Sequence, residues 1–369
     1  MPTWSQILEE LKERQTKGET APFDPVRKKY LALLQQQTGR NVILYATKWM
    51  QGDSPPGFVS IVEEDLCGLM EVIHGLKGPD LDLIIHSPGG SPGAAEALVH
   101  YLRSKFDNIR VVVPHMAMSA ATMISCAADE IVMGKHSFLG PTDPQLMLPT
   151  GEGIRAVPAQ AILEEFEQAI EECQDPKRIG AWLPKLSQYG PGLLVQCRNA
   201  CELSALLVEQ WLTTYMFKGE ADGATKAKKI AEWLADHSKF KTHSRPLPRE
   251  VLKSKGLKIK PLEEKQEEQD AFLSVFHATM HTFNGTAAVK IIENHLGKAY
   301  LKQVRTMQMP VMLPIQMPVP GQPAPGQPQP PTAPVSPETP PAVPLTPAAP
   351  PRARSRKKKA SKKARKRQT

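Results

Sequence analysis

The sequence is short of the features that mark secreted, membrane-spanning and metal-clustered chains. Its five cysteines, Cys67, Cys126, Cys173, Cys197 and Cys201, are scattered through 369 residues. No CxxC pair occurs, and an odd number at irregular spacing does not make a disulfide framework. Reduced thiols in a cytoplasmic protein are expected. Cys197 and Cys201 stand four apart on an expected helix, where two small core residues on one face account for them without a metal. His277 and His281 in HATMH share a helical face, but the glutamate of an HExxH zinc motif does not accompany them. Helix packing is their expected role, and no metal or organic cofactor is expected. No window reaches the ~18 consecutive apolar residues of a membrane-spanning helix. The opening run MPTWSQILEELKERQTKGE lacks a basic start leading into an apolar stretch, so it does not read as a signal peptide.

Negative charge is missing from one place in particular. Residues 352–369, RARSRKKKASKKARKRQT, hold 11 Lys or Arg and no Asp or Glu. The formal net charge of the whole chain is +8, yet without this tail 35 basic residues face 38 acidic ones. The body is therefore mildly acidic. Proline is as uneven: 17 of the 36 prolines fall in residues 310–351. Proline fixes φ and lacks an N–H, so this stretch is expected to be an extended, disordered linker. The tail is a polycation on a tether, expected to bind nucleic acid or another polyanion, with membrane binding and simple solubilisation as alternatives. No aromatic residue interleaves its charges, so base stacking is not indicated.

The body alternates short apolar strands with helices. Residues 4–15 and DPVRKKYLALLQQQTG read as helices, the second with Asp24 as N-cap and Pro25 at its first position. RNVILYAT (40–47), LDLIIH (81–86), IRVVVP (109–114) and EIVMG (130–134) read as strands, with helices between them. The pattern predicts an α/β body with parallel pairings and a sheet covered on both faces. Residues 158 to about 236 read as mainly helical, HSRPLPREVLKSKGLKI as a short extended and helical return, and residues 265–305 as helical again. The expected organisation is an N-terminal helix (1–22), a catalytic-type α/β domain (23–262), a helical extension (263–305), a Pro-rich disordered linker (306–351) and a basic disordered tail (352–369).

Two segments point to chemistry. HSPGG (86–90) follows a strand and precedes a helix, so paired glycines can expose backbone N–H groups to a developing negative charge. VVVPHMAMSAATMISCAADEIVMG repeats that setting one unit later, with Ser119 where a strand-to-helix elbow would hold a nucleophile and Ala117, Ala120 and Ala121 keeping it tight. Neighbouring strand ends in a parallel sheet would bring the Gly90 and Ala120 N–H groups to one point beside Ser119 Oγ, as acyl transfer requires. His86, His115 and His136 flank these strand ends.

LDLIIHSPGG, followed 29 residues after Gly90 by the serine of MAMSAAT, resembles the ClpP/crotonase-fold serine peptidases: the Clp proteolytic subunit and signal peptide peptidase A. RKKYLALLQQQTGRNVILYAT, PHMAMSAATMISCAADEIVMGKHSFLGPTDPQ and KTHSRPLPREVLKSKGLKI narrow the resemblance to the serine dehydrogenase proteinase family, over roughly residues 24–300. It implies a ClpP/crotonase-like fold of repeated ββα units, ATP-independent serine endopeptidase activity on proteins or peptides, and a homo-oligomer. Ser119 would be the nucleophile, and Gly90 and Ala120 would supply the oxyanion hole. The segment after HSPGG would bind peptide in extended form.

The general base stays open. The Clp subunit has a histidine where GPTDPQ lies, and none stands there in this chain. Asp143 is the nearest titratable residue. Lys177 and Lys185 fall where signal peptide peptidase A carries its lysine. His243 in KTHSRP lies in the stretch that resembles the one carrying the Clp subunit's triad aspartate, which would exchange two positions of a Ser–His–Asp set. Two further functions compete: a crotonase-like acyl-CoA enzyme, which uses the same N–H pair without a serine nucleophile, and a non-catalytic peptide-binding pseudo-protease.

Overall fold

The near-continuous apolar runs of the strands need cover on both faces of a sheet. The computed structural model describes residues 3–52, 54–150 and 153–304, all within one compact unit, Met1–Met307. The Pro-rich linker and basic tail read from the sequence, residues 306–369, lie outside the described residues. In chain order come α1 (Trp4–Thr16), α2 (Phe23–Thr38), β1 (Asn41–Thr47), α3 (Pro56–Val59), α4 (Asp65–Ile73), β2 (Asp80–His86), α5 (Pro92–Arg103), β3 (Asn108–Val113), β4 (Met116–Ala117), α6 (Ala120–Cys126), β5 (Glu130–Met133) and β6 (Phe138–Leu139). A hairpin, β7 (Gln145–Thr150) and β8 (Gly153–Pro158), leads into α7 (Ala159–Glu172), α8 (Pro176–Leu186), α9 (Leu193–Trp211), α10 (Gly223–Ala235) and the one-turn α11 (His237–Phe240). The chain returns through β9 (Leu247–Pro248), α12 (Arg249–Ser254), β10 (Ile259–Pro261), α13 (Gln266–Gly285), β11 (Ala288–Asn294) and β12 (Ala299–Gln303).

The described residues form a seven-stranded sheet in the order β10-β5-β3-β2-β1-β11-β12. The pairs from β10 to β1 are parallel, as the alternation predicts, whereas β11 and β12 join antiparallel. Successive strand side chains point to opposite faces. Ile43, Tyr45, Leu83, Ile85, Val111 and Val113 therefore pack under α4, α5, α6, α9 and α10. Val42, Leu44, Ala46, Ile84, Val112 and Val132 meet α1, α2 and α13. A small sheet, β4-β6-β9, stands beside the main one. β3, β4 and α6 follow one another as a ββα unit, as do β7, β8 and α7, whereas β2 passes directly to α5 through HSPGG. Among the described residues no helix is long and apolar enough to cross a membrane.

Two sequence expectations need correction. The second helix begins at Phe23, and Asp24 does not cap it; its carboxylate accepts from Arg27 Nη2 at 2.7 Å within the first turn. Residues 265–305 are not helical throughout: α13 ends at Gly285, and the β11–β12 hairpin that follows extends the main sheet. This hairpin and α13, which packs on α2, leave no break at residue 262. The hairpin escapes pattern reading because every residue of β11 is buried, polar ones included. Lys290 Nζ donates to Asp65 Oδ1 (2.6 Å) and to the Ser60 carbonyl (2.7 Å). Glu293 accepts from Arg27 Nε at 2.7 Å, with both side chains fully buried, and Asn294 donates to the Val72 carbonyl. Burial pushes the Lys290 pKa down, against the pull of Asp65.

Removing one member of a buried ion pair leaves an uncompensated charge, which costs about 3–5 kcal/mol. Lys290→Met should lose that much stability in urea unfolding. The double variant Lys290→Met/Asp65→Asn should recover most of it; equal losses in both would show that the charge is not what matters.

Candidate active site

Ser119 sits where two short elements meet. β4 carries Met116 and Ala117 alongside the end of β2: Ser87 N–H donates to the Met116 carbonyl at 3.2 Å, and Met118 N–H to the Ser87 carbonyl at 2.9 Å. α6 begins at Ala120. Between them the chain turns at Ser119 with φ 52° and ψ −119°. Among the described non-glycine residues it shares a positive φ only with Lys241. Such a conformation costs about 1–3 kcal/mol and persists only where the surroundings enforce it. The enforcing contacts are visible: Thr122 Oγ1 donates to the Ala117 carbonyl at 2.8 Å and accepts from Gly140 N–H at 3.0 Å, which clamps both sides of the turn. Ser119 remains partly exposed, while Ala120 is buried.

The HSPGG turn lies directly against this elbow. A Cβ at Gly89 would fall 2.6 Å from the Met118 carbonyl oxygen, 2.7 Å from Ser119 Cβ and 2.8 Å from Ala120 N. On its other side, a Cβ at Gly90 would fall 2.3 Å from the Ile61 carbonyl oxygen. Ile61 N–H donates to the Gly89 carbonyl (2.7 Å), and Ser91 N–H to the Ile61 carbonyl (2.9 Å). In a trans peptide C=O and N–H point oppositely. The Gly90 N–H is therefore turned away from Ile61, and among the described residues no backbone acceptor takes it. Ala120, as the first residue of α6, has its N–H outside the helical ladder. The strap that holds Gly90 is itself held by the buried ion pair: Lys290 binds the Ser60 carbonyl, and Val62 N–H donates to Asp65 Oδ2 at 3.0 Å. No strand edge follows HSPGG, contrary to what the resemblance implies for peptide binding, because Ser91 caps α5 at once by accepting from Ala94 N–H, and Pro92 opens the helix.

Asp143 and His243, two of the candidate bases, meet. His243 Nδ1 lies 2.7 Å from Asp143 Oδ1. The carboxylate is 1% exposed and the imidazole 28%. Asp143 is placed by its neighbour Thr142, whose N–H donates to the Leu234 carbonyl (2.8 Å) and whose carbonyl accepts from Ser204 Oγ (2.7 Å). His243 is brought in by α11, anchored through buried Phe240 against Trp233 and ended by Lys241 at φ 64°. His243 opens onto a cleft of about 490 Å3 with Trp49, Pro88, Met116 and Met118, the residue before Ser119. Lys177 and Lys185 do not join this group: Lys177 is exposed at the start of α8, and Lys185 pairs with Glu165 on α7.

Sequence reading missed His237. Its Nδ1 lies 2.7 Å from Asp143 Oδ2, which also accepts from Gln145 Nε2 at 2.9 Å. The one signal for it in the sequence is a pair of histidines six apart in DHSKFKTHS. The other singled-out residues have packing environments. His86 is buried, with Nδ1 3.1 Å from the Met116 carbonyl and its ring against His115, Trp49 and Phe276. His115 is half-buried and His136 exposed in the turn after β5. His281 bonds the Trp4 carbonyl (3.0 Å), and both it and His277 pack on the Trp4 ring. Cys197 is buried with Ala159, Ile162 and Leu193, and Cys201 packs against that cluster.

Burial, with His115 as a second cause, pushes the His86 pKa down to about 3. The unfolded chain takes up a proton near pH ~6.5, its unperturbed value, and the folded one does not. This group's contribution is thus fully present above that pH and is lost as pH falls toward 3. His86→Gln should flatten the acid limb of the stability curve by about 1.4 kcal/mol per pH unit in this window, read by urea unfolding at stepped pH. Parallel curves for the two proteins would refute it.

Comparison with known proteins gives the site a context. Two uncharacterized proteins of Methanocaldococcus jannaschii are similar to this chain. One is 32% identical over 180 residues, 48% of this chain and 51% of its own. The other is 31% identical over 205 residues, 55% of this chain and 62% of its own. The chain thus spans between half and two thirds of the length of the relatives it matches. Residues 61–181, which include HSPGG, Ser119 and Asp143 but neither His237 nor His243, match the family described as ClpP-like SDH-type serine proteinase, the same family that the sequence motifs resemble.

Proposed function

We propose that this protein is an ATP-independent serine endopeptidase that cleaves protein or peptide substrates through an acyl-enzyme on Ser119. The observation that carries this reading is the 2.7 Å contact between His243 and Asp143, residues 100 apart in sequence. Neither competing function needs it: an acyl-CoA enzyme uses the N–H pair alone, and a binding module needs no proton acceptor. An ionised carboxylate only accepts hydrogen bonds, so it holds the His243 proton on Nδ1 and leaves Nε2 as the base.

In the proposed reaction Ser119 Oγ attacks the scissile carbonyl while His243 Nε2 takes the hydroxyl proton. The carbonyl oxygen gains the negative charge and is met by the Gly90 and Ala120 N–H groups. Collapse expels the amine, which receives the proton from His243. Water then attacks the ester with His243 again as base, and Ser119 is restored. No metal or organic cofactor enters these steps. Trp49, Met116 and Met118 make the cleft wall mainly apolar, which suits a bulky uncharged side chain next to the cleaved bond.

Assembly into a homo-oligomer belongs to the same proposal. Met147, Ile154, Ile170, Leu183, Val195 and Leu206 are large apolar residues exposed along the stretch from β7 to α9, which contact with a second copy would cover. For the basic tail, binding to nucleic acid or another polyanion is proposed from its charge alone.

The test is labelling of the purified chain with a fluorophosphonate, read by intact mass. A single adduct is expected on the wild type and none on Ser119→Ala. His243→Ala should slow labelling at least about 100-fold. No adduct on folded wild type would overturn the peptidase reading in favour of the binding module or the acyl-CoA enzyme; full labelling of His243→Ala would remove His243 as base.

A further inference from the structure

Asp143 is shared between two imidazoles, and the second one has no place in a three-residue triad. His237 and His243 approach opposite oxygens of one carboxylate, each through Nδ1 and each at 2.7 Å. Gln145 Nε2 reinforces the His237 side at 2.9 Å. The two rings differ in what lies beyond them. His243 opens onto the cleft beside Met118, whereas the His237 ring is 15% exposed and is not part of the cleft wall. The backbone of His237 is fixed independently, its N–H donating to Gln160 Oε1 on α7 at 2.9 Å. His237 therefore ties the carboxylate to the α7 side of the fold, and the carboxylate in turn reaches His243.

We propose that His237 is a positioning residue that acts on the reaction through Asp143. This rests on the reading of His243 as the base for Ser119. A carboxylate can swing about its Cβ–Cγ bond and present either oxygen. Here such a swing would break the His237 and Gln145 bonds together, so Oδ2 is held on the far side and Oδ1 is reserved for His243. That fixes the plane in which the His243 ring lies and the direction of its Nε2. Proton transfer depends steeply on that direction, because donor and acceptor must be within hydrogen-bond reach and aligned. His237 itself exchanges no proton with substrate. It also supplies a donor to an almost wholly buried carboxylate, which would otherwise leave acceptor sites unfilled at a cost in stability.

The chemistry of the substituents separates positioning from bulk packing. The side-chain amide of asparagine places its N–H close to where histidine places Nδ1–H, while glutamine places it one bond further on. His237→Asn should keep the hold on Oδ2, and His237→Gln and His237→Leu should lose it. The experiment measures saturating fluorophosphonate labelling of the full chain, so that the maximal acylation rate and the half-saturating concentration are read separately. His237→Leu is expected to lower the maximal rate roughly 10- to 100-fold with half-saturation within about twofold. His237→Asn is expected within about threefold of wild type. In a His243→Ala background, adding His237→Leu should change nothing further, because its effect passes through the missing ring.

Wild-type rates in a folded His237→Leu variant would overturn the proposal. Should that variant fail to fold by circular dichroism, the His237→Asn and His237→Gln pair decides: equal rates in the two would overturn it as well. A further loss from His237→Leu in the His243→Ala background would show that His237 acts independently, and would also overturn it. A wild type that takes no adduct is a different result, since it removes the Ser119 reading itself before His237 is compared.

Discussion

The close approach of three backbone segments, with no side chain between them, is the constraint on which the rest of this site depends. Gly89 touches the turn at Met118, Ser119 and Ala120, and Gly90 touches Ile61. A single methyl group at either position would overlap main-chain atoms. With hydrogen in that place, the end of β2 is clamped between the strap at residues 60–62 and the end of β4. The elbow at Ser119 is then pressed into a backbone conformation that a free serine avoids. Strain there and crowding at Gly89 are two sides of one contact. Main-chain hydrogen bonds, in which Ile61 donates to Gly89 and accepts from Ser91 while Ser87 donates to Met116 and accepts from Met118, make the arrangement stiff.

Stiffness at the backbone is matched by neutralised charge in the interior. Lys290 and Asp65 hold the strap from behind, and Tyr45 Oη donates to the same Asp65 carboxylate at 2.7 Å. Arg27 and Glu293 join α2 to β11 within the opposite core, with Thr282 accepting from Arg27 Nη1. Buried ions of this kind contribute little net stability compared with apolar residues of equal volume. What they supply is directionality: each fixes a register between elements far apart in sequence. β11 can join the sheet antiparallel beside β1 only in the register that brings Lys290 to Asp65 and Glu293 to Arg27. The proposed oxyanion site is thus connected to the last hairpin of the body through Ser60 and Lys290.

The carboxylate of Asp143 plays the corresponding part on the other side of the cleft. It draws α11, the segment before β7 and the loop after Lys241 to one point. The family match ends at residue 181, before either histidine, so the two imidazoles that meet Asp143 lie in the part of the chain outside the matched region. The proposed nucleophile and N–H donors belong to the matched part, and the proposed base to the remainder.

Much of this was legible in the sequence because it is local. The apolar runs of β1, β2, β3 and β5, the glycines of HSPGG and the small residues around Ser119 each act over a few positions, and their strand, turn and helix follow from backbone geometry. The resemblance to a peptidase family rested on those same contiguous motifs. The β11–β12 hairpin was not legible, since Lys290, Glu293 and Asn294 break the apolar pattern and only distant partners make their burial tolerable. Nor was His237, which differs from any surface histidine only by its contact with Asp143, 94 residues earlier. By itself, then, the sequence determined the parallel α/β body and the serine elbow, because short-range sterics and side-chain periodicity decide them. The tertiary structure decided which charges are buried, which strand closes the sheet and which groups surround Asp143, because each of those depends on pairing residues that the chain keeps far apart.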